Sequence, residues 1–267
     1  MPAVEPRASA GPSPALPPPG DGEVDLWLCA PSVLTDDLRA AYGGFLSPSE
    51  LSRLQRFRVR HAADEFLLGR ALIRTSLSHY AIVAPSAWEF GIGPHGKPFV
   101  AGPAPCPPLA FNISHTTGLV ACAIGHDSQL GVDVEHCGRD LDLRGFSAAN
   151  FAPAEQAAVD AAAEADLRAT FFRIWTLKEA FIKGLGLGLN LPLESFWFDM
   201  EAPPRLSWPD GDVSGWRFLH QAPTPDHRLS LALATQRPTE LRVRVRWTVP
   251  DPSWALAHPV PATAHAS

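Results

Sequence analysis

The chain has 267 residues, 46% of them hydrophobic and 19% charged, enough for one large core or two small ones. A formal net charge of -6 argues against a nucleic-acid-binding protein, which needs a basic surface to neutralise phosphates, so any phosphate binding must be local. The four cysteines form no C-x-x-C pair, no run approaches the ~18 apolar residues of a membrane helix, and Arg7 is not followed by an apolar stretch, so neither a disulfide framework, a membrane span nor a secretory signal is expected. The expected address is cytoplasmic.

Residues 1–22 are rich in proline, alanine and glycine and poor in large apolar side chains, which predicts a disordered tail. Val-Asp-Leu-Trp-Leu from Val24 alternates as a half-buried strand does. From Ser49 to about Ala81 the only glycine is Gly69 and proline is absent, and Phe66, Leu67, Ala71, Ile73, Leu77 and Tyr80 recur near helical period, which predicts one long helix. Gly91 to Pro108 reads as a loop-rich passage containing His95-Gly96-Lys97-Pro98-Phe99.

Leu119 to Ile124 and Leu130 to Val134 are apolar runs separated by Gly125-His126-Asp127-Ser128, the pattern of a hairpin. A helix is expected from Pro153 and Glu155, and another from Leu167 to Lys183, stopping at Gly184. Trp216 to Leu219, Leu229 to Ala234 and Leu241 to Val249 read as strands of a second small sheet. Gly91-Ile92-Gly93 and Gly186-Leu187-Gly188 each follow a long helix, an echo that suggests two related lobes, residues 23–129 and 130–250, with a mobile tail over 251–267.

Four constellations carry possible chemistry. Asp133 and Glu135 stand two apart on a predicted strand and project from one face, where a hard metal ion would relieve their repulsion; a solvated outer strand face explains them as well. Glu179 and Lys183 are i and i+4 on a helix crowded by Phe172, Trp175 and Phe181, which favours a buried functional pair over a surface salt bridge. Phe111-Asn112-Ile113-Ser114-His115 interrupts apolar surroundings with groups able to donate to phosphate oxygens, or simply to satisfy a turn. Arg53, Arg56, Arg58, Arg70, Arg74 and Lys97 are basic residues in an acidic chain, with Arg70 and Arg74 one helical turn apart; a solvated helix face is the alternative. Gly184-Leu185-Gly186-Leu187-Gly188 follows a helix rather than a strand, so it reads as a helix stop, not as a dinucleotide fingerprint.

Taken in order, Phe111-Asn112-Ile113-Ser114-His115, Gly131-Val132-Asp133-Val134-Glu135 and Trp175-Thr176-Leu177-Lys178-Glu179-Ala180-Phe181-Ile182-Lys183 resemble the three signature motifs of the Sfp-type 4′-phosphopantetheinyl transferases. His95-Gly96-Lys97-Pro98 is similar to the family's upstream element, and the likeness runs from about Leu51 to Phe198. The resemblance implies an α/β (α+β) fold of two similar lobes related by a pseudo-twofold axis, each a small sheet packed with a long helix, with coenzyme A in the cleft between them. It also implies magnesium held by Asp133, Glu135 and Glu179. Coenzyme A ligands would be Arg53, Arg70, Lys97, Ser114, His115 and Lys183, with Glu179 and Lys183 catalytic. Family members carry an arginine for the 3′-phosphate before or after Leu-Leu-Gly; here Glu65 precedes Leu67-Leu68-Gly69, so the role passes to Arg70. Val134 offers no third strand carboxylate.

The implied activity is transfer of the 4′-phosphopantetheine group of coenzyme A to a serine of an apo acyl or peptidyl carrier protein of fatty acid, polyketide or nonribosomal peptide biosynthesis, by a monomer. A basic docking surface of Arg53, Arg56 and Arg58 is expected, since carrier proteins are commonly acidic. A metal-dependent coenzyme A phosphohydrolase, or a noncatalytic coenzyme A or carrier-binding module, would use the same residues differently.

Overall fold

The alternation at Val24 forms β1 (Glu23–Cys29), which runs between β5 (Leu119–Gly125), antiparallel, and β11 (Arg242–Trp247), parallel. β4 (Ala110–Thr116) pairs with β5 and completes a four-stranded sheet of order β11-β1-β5-β4. A second sheet has the order β6-β10-β9, from β6 (Leu130–His136), β10 (His227–Ala234) and β9 (Trp216–Gln221). The computed structural model describes residues 16–105, 107–126, 129–188, 191–199, 202–235 and 240–253. Of the expected tails at residues 1–22 and 251–267, residues 1–15 and 254–267 lie outside the described residues, as do Asp127 and Ser128 of the expected turn. Leu16 packs against the core and its N–H donates to the His79 carbonyl, so ordered packing begins ahead of Val24.

The two sheets meet through an apolar layer in which Val24, Leu26 and Leu28 face Val132, Val134, Leu229 and Leu231. The outer face of the first sheet is covered by α3 (Arg60–Ser78), through Leu68, Leu72 and Ile73 against Val120 and Cys122. The outer face of the second is covered by α6 (Glu164–Leu185), through Leu177 and Phe181 against Phe218 and Ala232. The result is a mixed α+β arrangement in which each of these sheets is backed by one long helix. Among the described residues no helix is long and apolar enough to cross a membrane.

Several expectations are corrected. The long helix from Ser49 is two: α2 (Pro48–Leu54), capped by Ser47 and Glu50, and α3, with Phe57 in the break turned onto Phe66. Glu50 folds α2 back onto α3 by pairing with Arg74 at 2.6 Å. β5 and β6 do not form a hairpin; β5 lies between β1 and β4, and β6 pairs with β10. The last strand, β11, leaves the second sheet for the first, where Arg244 Nε meets Asp25 Oδ1 at 2.6 Å. The loop-rich passage contains a hairpin of β2 (Glu89–Ile92) and β3 (Pro98–Gly102), turned at Gly96 with φ +88°. α6 continues past Gly184 and ends at Gly186, which caps it with φ 72°. The helix from Pro153 is present as α5 (Pro153–Ala161); α1 (Asp36–Gly43) and α4 (Leu143–Asn150) had no strong sequence signal. The small pair β7 (Trp197–Phe198) and β8 (Leu206–Ser207) closes the α6 side.

Candidate active site

The neighbouring edge strands β4 and β6 are joined by side chains rather than by a backbone ladder. Asn112 Oδ1 accepts the Val132 N–H at 2.9 Å, Ser114 Oγ the Val134 N–H at 3.3 Å, and Thr116 Oγ1 the His136 N–H at 3.2 Å. This seam brings the Asn-Ile-Ser-His segment against the Asp133 and Glu135 segment in a fixed, twenty-residue register. On its other side β6 lies unusually close to α6: a Cβ on Gly131 would stand 2.0 Å from the Ala180 carbonyl oxygen and 2.4 Å from the Gly184 nitrogen. Only glycine permits that approach, and it places Glu179 and Lys183 beside the strand carboxylates.

Lys183 Nζ lies 2.6 Å from Asp133 Oδ1 and 3.0 Å from Ser114 Oγ, while the Ser114 hydroxyl donates to the same Asp133 oxygen at 2.9 Å. Glu135 Oε1 accepts from Arg139 at 2.6 Å and from the Trp175 indole N–H at 3.1 Å. Burial, then the charge of Asp133, raises the carboxyl of Glu135 above the usual carboxylate range, against the pull of Arg139. Glu179 is raised for the same reasons, burial first and Asp133 next, with Lys183 opposing and Glu135 adding a smaller push. The three acids therefore share one electrostatic neighbourhood.

No group of three or more His, Cys, Asp or Glu side chains stands gathered as a finished ligand set among the described residues. The site nonetheless has a deficit that a hard cation fits: Asp133 is 4% exposed, and its Oδ2 has no hydrogen-bond partner among the described residues.

A cleft of about 320 Å³ opens beside these groups, lined by His95, Lys97, Asn112, Glu179, Lys183 and Gly186 among others. A second groove of about 570 Å³ continues from it along the β2–β3 hairpin, sharing His95, Lys97 and Gly186. A larger concavity of about 650 Å³ at Trp216 and Phe218 contains none of these residues and offers no chemistry of this kind.

Of the residues singled out in the sequence, Ser114, Asp133, Glu135, Glu179 and Lys183 come together, and Lys97 lines the cleft. Lys97 is also a structural tie, donating to the carbonyls of Leu130 at 3.0 Å and Gly184 at 2.8 Å, and burial pushes its pKa down to about 8. Arg53, Arg70 and His115 do not line that cleft. The guanidinium groups of Arg53 and Arg70 lie over the Phe66 ring, Arg70 Nε is 3.7 Å from Glu50, and His115 Nδ1 is 3.3 Å from Glu65.

Asn112 and Thr116 as seam acceptors, Arg139 and Trp175 as partners of Glu135, and the buried Lys178–Glu155 pair had not been singled out for these contacts. The period-two spacing of Asn112, Ser114 and Thr116 along one strand is the signal that could have found the seam; Arg139 sits in an irregular loop and has none.

Comparison with known proteins points the same way. A family described as the 4′-phosphopantetheinyl transferase superfamily matches residues 129–245, and one described as 4′-phosphopantetheinyl transferase, N-terminal, matches residues 35–126. A 4′-phosphopantetheinyl transferase of Bacillus subtilis is 33% identical over 199 residues, covering 72% of this chain and 83% of the relative. The 4′-phosphopantetheinyl transferase HetI of Nostoc sp. is 33% identical over 170 residues, covering 62% and 70%. The 4′-phosphopantetheinyl transferase Sfp of Bacillus subtilis strain 168 is 32% identical over 167 residues, covering 61% and 70%.

Proposed function

The chain belongs to the 4′-phosphopantetheinyl transferase superfamily, and from that premise we propose that it transfers the 4′-phosphopantetheine group of coenzyme A to a serine of an apo acyl or peptidyl carrier protein, in a magnesium-dependent reaction that releases 3′,5′-adenosine bisphosphate. The observation that carries the chemistry is the convergence of Asp133, Glu135 and Glu179 beside Lys183, with Asp133 Oδ2 lacking a hydrogen-bond partner among the described residues. Their oxygens suit a hard divalent ion, and the three carboxylates are its proposed ligands. When bound, magnesium supplies charge neutralisation at the diphosphate.

The chain's own groups do the rest. The carrier serine Oγ forms a bond to the β-phosphorus as the bond from that phosphorus to the oxygen of the departing adenosine bisphosphate breaks. Glu179, whose carboxyl is raised by burial and its acidic neighbours, takes the serine proton directly or through water. Lys183 exchanges Asp133 for the diphosphate and offsets the charge growing on the leaving oxygen. Lys97 from the cleft wall, and Ser114 beside Lys183, orient the diphosphate. Arg53, Arg70 and His115 serve the phosphates at the adenosine end, Arg70 and His115 exchanging Glu50 and Glu65 for phosphate oxygens.

The pairing of α3 with the first sheet and α6 with the second supports two lobes, residues 23–129 and 130–250, related by a pseudo-twofold axis and joined at the β4–β6 seam. β11 then crosses from the second lobe to the first. The exposed Arg53, Arg56 and Arg58 form the surface on which an acidic carrier protein docks. One chain supplies every proposed ligand, which fits a monomer.

The deciding experiment is intact-mass spectrometry of an apo carrier protein incubated with this protein, coenzyme A and magnesium. One added phosphopantetheine, located on serine, supports transfer. Free phosphopantetheine without a carrier adduct would assign a hydrolase, and an unchanged mixture would refute both.

A further inference from the structure

Glu135 already has a cationic partner that none of the three motifs contains. Arg139 Nη1 lies 2.6 Å from Glu135 Oε1, the oxygen that also accepts the Trp175 indole N–H. The loop carrying Arg139 is pinned from behind, because Arg168 Nη1 donates to the carbonyls of Cys137 at 2.7 Å and Arg139 at 2.9 Å. The Arg139 side chain itself is 49% exposed, so its backbone is held while its guanidinium can leave for water. Lys183 does for Asp133 what Arg139 does for Glu135, and both strand carboxylates are thereby neutralised within the chain.

Resting on the metal-site reading above, we propose that Arg139 is a tethered counter-ion that competes with the divalent cation for Glu135. It keeps the carboxylate paired before the ion arrives and must release it when the ion binds, so it sets how tightly the site holds metal. A guanidinium on a ligand oxygen both occupies that oxygen and repels an approaching cation, and partial exposure limits the size of both effects. The site is thus tuned for an ion that is retained firmly only once substrate phosphates add their own charge.

Calorimetric titration of the full chain with magnesium or manganese chloride, without coenzyme A, tests this directly. Arg139→Ala should bind metal about three- to tenfold more tightly than the parent, and Arg139→Lys, which keeps the charge, should stay within about twofold. Thermal unfolding gives an independent readout: the metal-free Arg139→Ala protein should melt lower than the parent and gain more from saturating magnesium. Metal binding by Arg139→Ala that is equal to or weaker than the parent's overturns the counter-ion role alone. Absence of metal binding by the parent and both variants overturns it together with the metal site, while the carrier-mass assay reports on transfer separately.

Discussion

Lys178 and Glu155, both fully buried, face each other at 2.7 Å, with Lys178 next in sequence to the cleft-lining Glu179 on α6. Lys178 Nζ also donates to the carbonyls of Leu193 at 2.8 Å and Phe196 at 2.6 Å, while Glu155 Oε1 accepts the Phe198 N–H at 2.9 Å. Burial pushes the glutamic acid up and the lysine down, and each partner restrains the other. The pair ties α5 and the 191–198 segment to α6. Lys178→Met should cost about 3–5 kcal/mol of stability because it strands a buried carboxylate. Combining it with Glu155→Leu should recover part of that loss. Urea unfolding of the two variants checks it; a single-variant cost under about 1 kcal/mol would remove the pair from the support of α6.

Asn112 is the test of the seam. It is 5% exposed and is the acceptor for the Val132 N–H, so Asn112→Leu leaves a buried donor unpaired at about 1–3 kcal/mol. Loss of that bridge also frees β6 to shift against β4, so coenzyme A affinity should fall with stability. An Asn112→Leu protein that matches the parent in both unfolding and coenzyme A titration would contradict the seam's role.

Much of this site was legible because strand and helix periodicity are local: Asp133 and Glu135 two apart, Glu179 and Lys183 four apart, are where those periods put them. The partners of the strands were not. β5 and β6 are adjacent in sequence and individually strand-like, yet their pairing is decided by which apolar faces meet across the sheets, and that is a long-range property. The break between α2 and α3 contains neither proline nor glycine; it is made by Phe57 packing on Phe66 and by Glu50 reaching Arg74, contacts no local pattern displays. The acceptor role of Asn112 Oδ1 toward the Val132 N–H was not legible either, because it depends on a neighbour strand that no local pattern identifies.

His220 predicts an acid-side loss of stability. Its imidazole is held neutral by burial first and by Arg173 and Arg228 next, which lower its pKa from 6.5 to about 4, and its Nδ1 lies 3.0 Å from Ser230 Oγ. Between those two values the unfolded chain binds a proton that the folded chain refuses, so stability falls as pH drops through 6.5 and levels off below about 4. The slope from this one group approaches about 1.4 kcal/mol per pH unit. Chemical denaturation from pH 7.5 to 4 should show it, and His220→Gln should flatten the curve; an unchanged slope would assign the acid sensitivity elsewhere.

Arg53, Arg56 and Arg58 line an exposed edge of α2 and the break after it. If they steer an acidic carrier protein, replacing all three with alanine should lower kcat/KM for the carrier about tenfold at low salt while leaving kcat near the parent's. Raising ionic strength should erase most of the difference. A triple variant whose loss persists in high salt would point to lost coenzyme A binding through Arg53 instead.

Glu179→Gln separates chemistry from binding at the proposed base. The amide keeps the size and hydrogen-bonding reach of the carboxylate but cannot accept the serine proton, and it removes one negative charge from a neighbourhood where Asp133 and Glu135 already raise that carboxyl. Relief of that repulsion should leave the fold intact or slightly more stable. Carrier modification should fall by about 10²–10⁴-fold. Coenzyme A binding, measured by calorimetry, should stay within an order of magnitude of the parent because the cationic groups are untouched, whereas metal binding should weaken with the loss of one ligand oxygen charge. Near-normal turnover in Glu179→Gln would transfer the base role to another group or to water, and lost coenzyme A binding with intact metal affinity would mean that Glu179 organises the cleft rather than the proton.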